Sequence, residues 1–242
     1  MSMGENSYQP AWGMIAENAQ ASERADFIKK TYLHLAGAVL AFCALEYFYI
    51  TGGLAERMTE TLVAQGNYAW LFVLIAFMGV AWLANYWAMS STSVGMQYAG
   101  LGLYVVAESL IFAPMLYIAA EFGGPDVIPT AGTITLILFG GLTVAVFATG
   151  HDFSYLRTAL ILGGFAAFGF IVCAILFGFQ LGNIFTVAMI VLACGYILYY
   201  TSNVLHHYHI GQHVAASLAL FAAVALLLWY VLRLVMALQS RD

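Results

Sequence analysis

An all-α integral membrane bundle of seven transmembrane helices is the fold class this sequence predicts, on three observations. Seven apolar stretches of about twenty residues run through the chain, and each is long enough to cross a hydrocarbon core about 30 Å thick. Only 8% of the 242 residues are charged, against about 25% in a soluble domain. Of those charges only Glu46, Glu108 and Arg233 fall well inside an apolar stretch. Backbone groups cannot stay unpaired in lipid, so helix is the expected form of each stretch.

The elements follow in order. Residues 1–30 are polar, with Glu5, Glu17, Glu23, Arg24, Asp26, Lys29 and Lys30, and read as a cytoplasmic N-terminal tail ahead of a transmembrane domain over 31–242. A polar start of this kind is not that of a cleavable signal peptide. Trp12, Met14, Ile15, Ala19 and Phe27 lie among the charges of residues 11–28, which leaves two readings open, a short interfacial helix or a disordered tail. The spans are expected at 31–50, 68–88, 95–119, 130–149, 158–179, 183–205 and 213–238, with 51–67 as a long loop. Most other connections are short, such as 89–94, 151–157, 180–182 and 206–212. Pro114 lies inside the third span, where its missing N–H predicts a kink. Gly100, Gly102, Gly140, Gly141, Gly163, Gly164 and Gly169 are candidates for close helix packing, which in lipid favours small side chains. Cys43, Cys173 and Cys194 all lie in apolar spans and are expected to be free and buried.

Lys and Arg placement sets the orientation. Arg24, Lys29, Lys30 and Arg157 fall on one side, against Arg57 and Arg241 on the other, which favours a cytoplasmic N-terminus. The expected setting is a bacterial inner membrane.

Ionisable residues held in a membrane are functional candidates by default, because leaving a charge in hydrocarbon is costly. Glu108 falls near the middle of the third span and Glu46 about one turn from the end of the first. Arg233 lies about one turn from the end of the last, at a depth closer to that of Glu46. A Glu46–Arg233 bridge closing one mouth of the bundle is therefore expected, or an Arg233 that reaches alone to the headgroups. The connection after span six holds His206, His207, His209 and His213, four imidazoles able to change charge between about pH 5 and 8. No cysteine or carboxylate adjoins them in sequence, so a solvated loop is favoured over a metal site. His34 reads as an interfacial polar residue.

Several functions find no support. Both lysines precede the first span, which excludes a retinal-type Schiff base in the membrane. Mid-membrane histidine pairs for haem, a serine–histidine pair at matching depth and a nucleotide-binding glycine pattern are all missing. No enzyme, no cofactor, no metal and no nucleic-acid partner is expected.

Some short motifs carry a resemblance. The stretch Thr149-Gly150-His151-Asp152-Phe153-Ser154-Tyr155-Leu156, and in it Asp152, Phe153 and Ser154, resembles the Lys-Asp-Phe/Leu-Ser-Phe-Leu loop of the Bax inhibitor family of membrane proteins. Phe139-Gly140-Gly141-Leu142-Thr143, Gly195-Tyr196-Ile197-Leu198-Tyr199, Phe112-Ala113-Pro114 and Leu232-Arg233-Leu234 are similar to further motifs of that family in order and spacing. The resemblance implies six helices around a central seventh. It also implies a pH-sensitive calcium leak, or a modulatory role towards other membrane proteins, including proteases and death regulators. The family's pH-sensing aspartate pair is absent: Tyr200 stands at one place and the region of Ala223 at the other. The usual Arg-rich run after span two is replaced by Met89-Ser90-Ser91-Thr92-Ser93.

Two functions remain in view. One is a passive leak for Ca²⁺ or H⁺, with Glu108, Glu46 and Arg233 along the path and the histidine run sensing pH. The other is a non-conducting module, in contact with the bilayer, that binds another membrane complex or a protease.

Overall fold

The computed structural model of the chain describes residues 13–91 and 93–239, apart from the side chain of Asn67. These residues form eight α-helices: α1 (Ala21–Thr51), α2 (Leu54–Gln65), α3 (Asn67–Ala88), α4 (Val94–Phe122), α5 (Val127–Thr149), α6 (Leu156–Phe177), α7 (Asn183–His206) and α8 (His213–Gln239). All but α2 are long and apolar enough to cross a membrane, which gives the seven expected spans.

The first span starts earlier than hydropathy suggests. Phe27, Thr31, Leu35, Ala38, Phe42 and Glu46 are buried at spacings of three and four, so one stripe of α1 faces the bundle along its whole length. The polar first turns are carried along, with Lys30 and Asp26 bridged at 2.7 Å one turn apart. Residues 13–19 form no separate interfacial helix. They hold a short 3₁₀ turn, Ala16–Asn18, and one isolated antiparallel bridge from Ile15 to His209. Trp12, Arg241 and Thr92 lie outside the described residues.

The stretch 51–67, expected as a loop, folds instead into α2. Gly53 and Gly66 flank it at φ 73° and 74°, a left-handed conformation that glycine adopts without strain. Ala55 is buried and Met58 and Leu62 are half-buried, while Glu56, Arg57 and Glu60 stay exposed. The helix is amphipathic and short, so its mean hydropathy hides it.

The last helix, α8, packs against α1, α3, α4, α5 and α7, close to the central seventh helix the resemblance implies. It shares the centre with α4, which is equally buried. The α6 helix is peripheral and rests mainly on α7 and α3. Gly163 faces Leu192, Gly164 faces the Tyr196 hydroxyl, and Gly195 on α7 faces Leu160. The Tyr196 hydroxyl then donates to the Leu160 carbonyl at 2.9 Å. These contacts all lie in the first half of α6.

Gly100 brings α4 against the backbone of α3. Gly102, Gly140, Gly141 and Gly169 have open space at the Cβ position, so the expected packing role falls to only part of the set. Pro114 sits within a continuous α4 and cannot donate to the Leu110 carbonyl. The three cysteines are free, but Cys43 and Cys173 point out of the bundle and only Cys194 is partly covered, because their helices bury other faces.

Candidate functional site

The loose second half of α6 leaves a cavity of about 590 Å³ among α3, α4, α6 and α8. Trp70, Val73, Leu74 and Phe77 line it from α3, and Ile171, Ala174 and Ile175 from α6. Leu226, Trp229, Tyr230 and Arg233 come from α8, and residues 178–181 of the α6–α7 connection complete one end. This end is opposite the face that carries the N-terminal segment. The walls are mostly apolar, with Gln180 and Tyr230 adding polar groups, and Glu108 and Arg233 are the two charged residues among them.

Glu108 is 8% exposed, and its Oε2 has no hydrogen-bond partner among the described residues. The Tyr104 phenol, one turn earlier on α4, approaches the carboxyl. Beyond Glu108, towards the N-terminal face, aromatic rings close the bundle. Phe221 lies edge-on to Tyr104 and to Phe42, each at 6.1 Å, and Tyr104 lies edge-on to Phe77 at 5.9 Å. On the cavity side of Glu108, Phe112 stands edge-on between Phe42 at 5.1 Å and Trp229 at 5.0 Å, and both Phe112 and Trp229 belong to the cavity wall. Glu108 therefore lies towards the end of the cavity nearest this aromatic layer.

The expected Glu46–Arg233 bridge does not form. Arg233 donates from Nη2 to the Leu181 carbonyl at 2.5 Å. Glu46 lies on the buried stripe of α1, 5% exposed, and neither carboxyl oxygen has a partner among the described residues. The two residues match in depth, but the rotation of each helix turns them to different neighbours. Arg233 shares a cavity with Glu108 instead.

The second cluster lies on the N-terminal face, where the histidine run meets the motif loop. His207 donates from Nε2 to Asp152, 3.1 Å from Oδ2 and 3.2 Å from Oδ1. The Asp152 Oδ1 also accepts from the Ser154 amide at 2.8 Å. Ser202, fully buried on α7, accepts from the Phe153 amide at 2.8 Å and lies 3.3 Å from Asp152 Oδ1. His206 places Nδ1 3.6 Å from Glu17 and donates from Nε2 to the Gly150 carbonyl at 3.2 Å. His209 donates from Nδ1 to the Gly13 carbonyl at 2.9 Å. The backbone joins in, with the Ala16 amide donating to Tyr208 and the Ile210 amide to Met14, both at 2.8 Å.

His213 stands apart, with its ring 4.9 Å from that of His34. His34 donates from Nδ1 to the Lys30 carbonyl at 2.6 Å, and its Nε2 pairs with the Tyr98 hydroxyl at 2.8 Å. The four histidines thus form separate contacts and not one cluster. Carboxylates do join them, contrary to expectation, because Asp152 and Glu17 arrive from distant parts of the chain. Among the described residues, no three His, Cys, Asp or Glu side chains gather to hold a metal ion. Ser202 and Glu17 carried no sequence signal beyond being polar near the ends of helices.

Partial desolvation pushes the Asp152 carboxyl up, but hydrogen bonds from the Ser154 amide and His207 outweigh it and hold the group below its ordinary 3.8. A depressed carboxyl adds stability above its unfolded value and loses it as pH falls through the lower folded value. Asp152→Asn should therefore lower the thermal midpoint at pH 7. The gap to the native chain should close only below about pH 4, a comparison that melting curves in detergent across pH will check.

Three comparisons with known proteins bear on this arrangement. The family model described as "Inhibitor of apoptosis-promoting Bax1" matches residues 24–241. A similar chain is Bax inhibitor 1 of Schizosaccharomyces pombe, 28% identical over 241 residues, covering 96% of this chain and 86% of that protein. No solved structure matches the chain. The family model takes in the seven crossing helices from the first turn of α1 onward, the motif loop and the arginine of the last span, and on that match this chain belongs to the Bax inhibitor family.

Proposed function

We propose that this chain is a pH-sensitive cation leak, with Glu108 as the group that meets the ion at the depth of the cavity. The observation that carries this reading is a buried carboxyl with an unpartnered oxygen lining a cavity between spans. In a membrane such a group is retained where it serves a path or a relay. The ion we favour is H⁺. A Ca²⁺ ion takes six to eight oxygen ligands, and the cavity walls are mostly hydrocarbon, with Gln180 and Tyr230 the other side chains that carry oxygen. A proton needs one acceptor at a time.

With a cytoplasmic N-terminus, as the Lys and Arg placement favours, the cavity lies in the half of the bundle away from the cytoplasm and the His–carboxylate contacts face the cytoplasm. His207 lies 3.1 Å from Asp152 and His206 3.6 Å from Glu17 on this face. This pairing would supply the pH response in place of the absent aspartate pair. A bacterial inner membrane remains the expected setting, although the relative above comes from a yeast. No enzymatic step and no cofactor belongs to this reading.

A second reading has its own support. Phe165, Phe170 and Phe177 are exposed on the peripheral α6, and aromatic rings close the cavity floor. A non-conducting bundle presenting such a surface would regulate another membrane complex or a protease, and the relative's name points to inhibition of Bax.

Liposomes loaded with a pH or Ca²⁺ dye separate the two. Native chain should leak between about pH 5 and 8, and Glu108→Gln should reduce the rate at least about tenfold, the effect of a lost charge-assisted contact. Flux no greater than that of empty liposomes across this range would refute the leak. A stoichiometric membrane partner retained in mild detergent would then favour the second reading.

A further inference from the structure

We propose that the cavity is a binding site for a lipophilic amine, its ammonium on Glu108 and its apolar body against the aromatic walls. The inference concerns occupancy and does not depend on the chain conducting. The volume of about 590 Å³ falls within the range of about 300–1,000 Å³ typical of small-molecule sites. Such sites combine apolar walls with a few placed polar groups, and this one has that composition.

The sign of the ligand follows from the groups present. Glu108 is more than nine-tenths buried, lines the cavity and has no donor to Oε2 among the described residues. A buried acceptor of this kind is costly until a donor reaches it. Trp70, Phe77, Phe112, Trp229 and Tyr230 surround the same space, and the faces of such rings attract cations. Arg233 is the opposing charge, but its guanidinium is held to the Leu181 carbonyl near the end of α8 and makes no ion pair with Glu108. An anion held by the remaining donors of Arg233 would sit towards the end of the cavity and would set its own oxygens against the Glu108 acceptor. An ammonium satisfies both the carboxyl and the rings.

Three compounds with one cage-shaped body isolate the head group: 1-aminoadamantane, 1-adamantanol and 1-adamantanecarboxylate. The full chain in nanodiscs is titrated with each, and the fluorescence of Trp70 and Trp229, both in the cavity wall, reports binding. The amine should saturate the signal and bind roughly tenfold tighter than the alcohol, as a charge-assisted contact would. The carboxylate should bind weakest. Glu108→Gln should erase the amine's advantage and leave the alcohol unchanged.

Equal affinity for amine and alcohol, a preference for the carboxylate, or an amine preference that survives Glu108→Gln overturns the proposal. If Glu108→Gln fails to fold, Ala174→Phe serves instead, since it fills the cavity from α6 and keeps the acid. Saturable amine binding to that variant would also overturn it. A chain that binds the amine but passes no ion defeats the leak and keeps this site. A chain that leaks but shows no amine preference does the reverse.

Discussion

Phe221→Ala should cost about 3–5 kcal/mol of stability, the usual range for removing a buried phenylalanine ring, and raise ion flux. Phe221 is 2% exposed on α8 and lies edge-on to Phe42 of α1 and Tyr104 of α4. Its ring therefore joins three spans on the side of Glu108 away from the cavity. Tyr104 is its edge-on neighbour, so a removed ring leaves a hole beside a tyrosine, which water can enter. Thermal unfolding in detergent measures the first effect and dye-loaded liposomes the second. A destabilised variant whose flux stays at the native rate would show that the aromatic layer is packing and not a gate. A conducting Phe221→Ala with a silent Phe221→Leu would place the barrier in the ring itself.

Gly100→Ala is the second large effect. A Cβ there would lie 2.5 Å from the Ala84 carbonyl oxygen, 2.6 Å from the Ala88 amide nitrogen and 3.1 Å from the Trp87 Cβ. Two of the three are backbone atoms, which cannot rotate away, so α3 and α4 must separate. Overpacking of this kind costs about 1–3 kcal/mol, and more where backbone has to move. The shift also reaches the cavity, which both helices line. Gly102→Ala is the internal control, because nothing lies within 4 Å of its Cβ position. It should leave the melting temperature unchanged or raise it slightly, since alanine favours helix over glycine. Equal melting temperatures for the two variants would show that the close approach of α3 and α4 yields at no cost.

Much of this architecture is legible from residue order. Hydropathy finds seven of the eight helices, and the motif around Asp152, Phe153 and Ser154 points to the family before any contact is seen. Reading fails where the signal is not hydrophobic content. The polar first turns of α1 and the amphipathic α2 are helical because one stripe of each packs inward, a property of rotation and not of average composition. The cysteines are similar, since a small residue in an apolar span faces lipid as readily as core.

The site divides along the same line. Glu108, Glu46 and Arg233 stand out in the chain because a charge in hydrocarbon is rare on energetic grounds alone. The bridge between Glu46 and Arg233, one of two readings open in the sequence, does not form, because equal depth says nothing about which way a helix is turned. Likewise four histidines are visible in the sequence, whereas Asp152 and Glu17 lie 55 and 189 residues from the imidazoles they meet.

By itself, then, the order of residues determined that the chain crosses a membrane seven times, which family it resembles and which ionisable side chains must be buried. Those properties follow from transfer out of water, a cost that adds residue by residue along each segment. Only the tertiary structure decided that Glu108 and Arg233 border one cavity, that Glu46 is sealed on its own, and that carboxylates bind the histidine run. These depend on helix rotation and on contacts between distant segments, which the packing of the whole bundle sets.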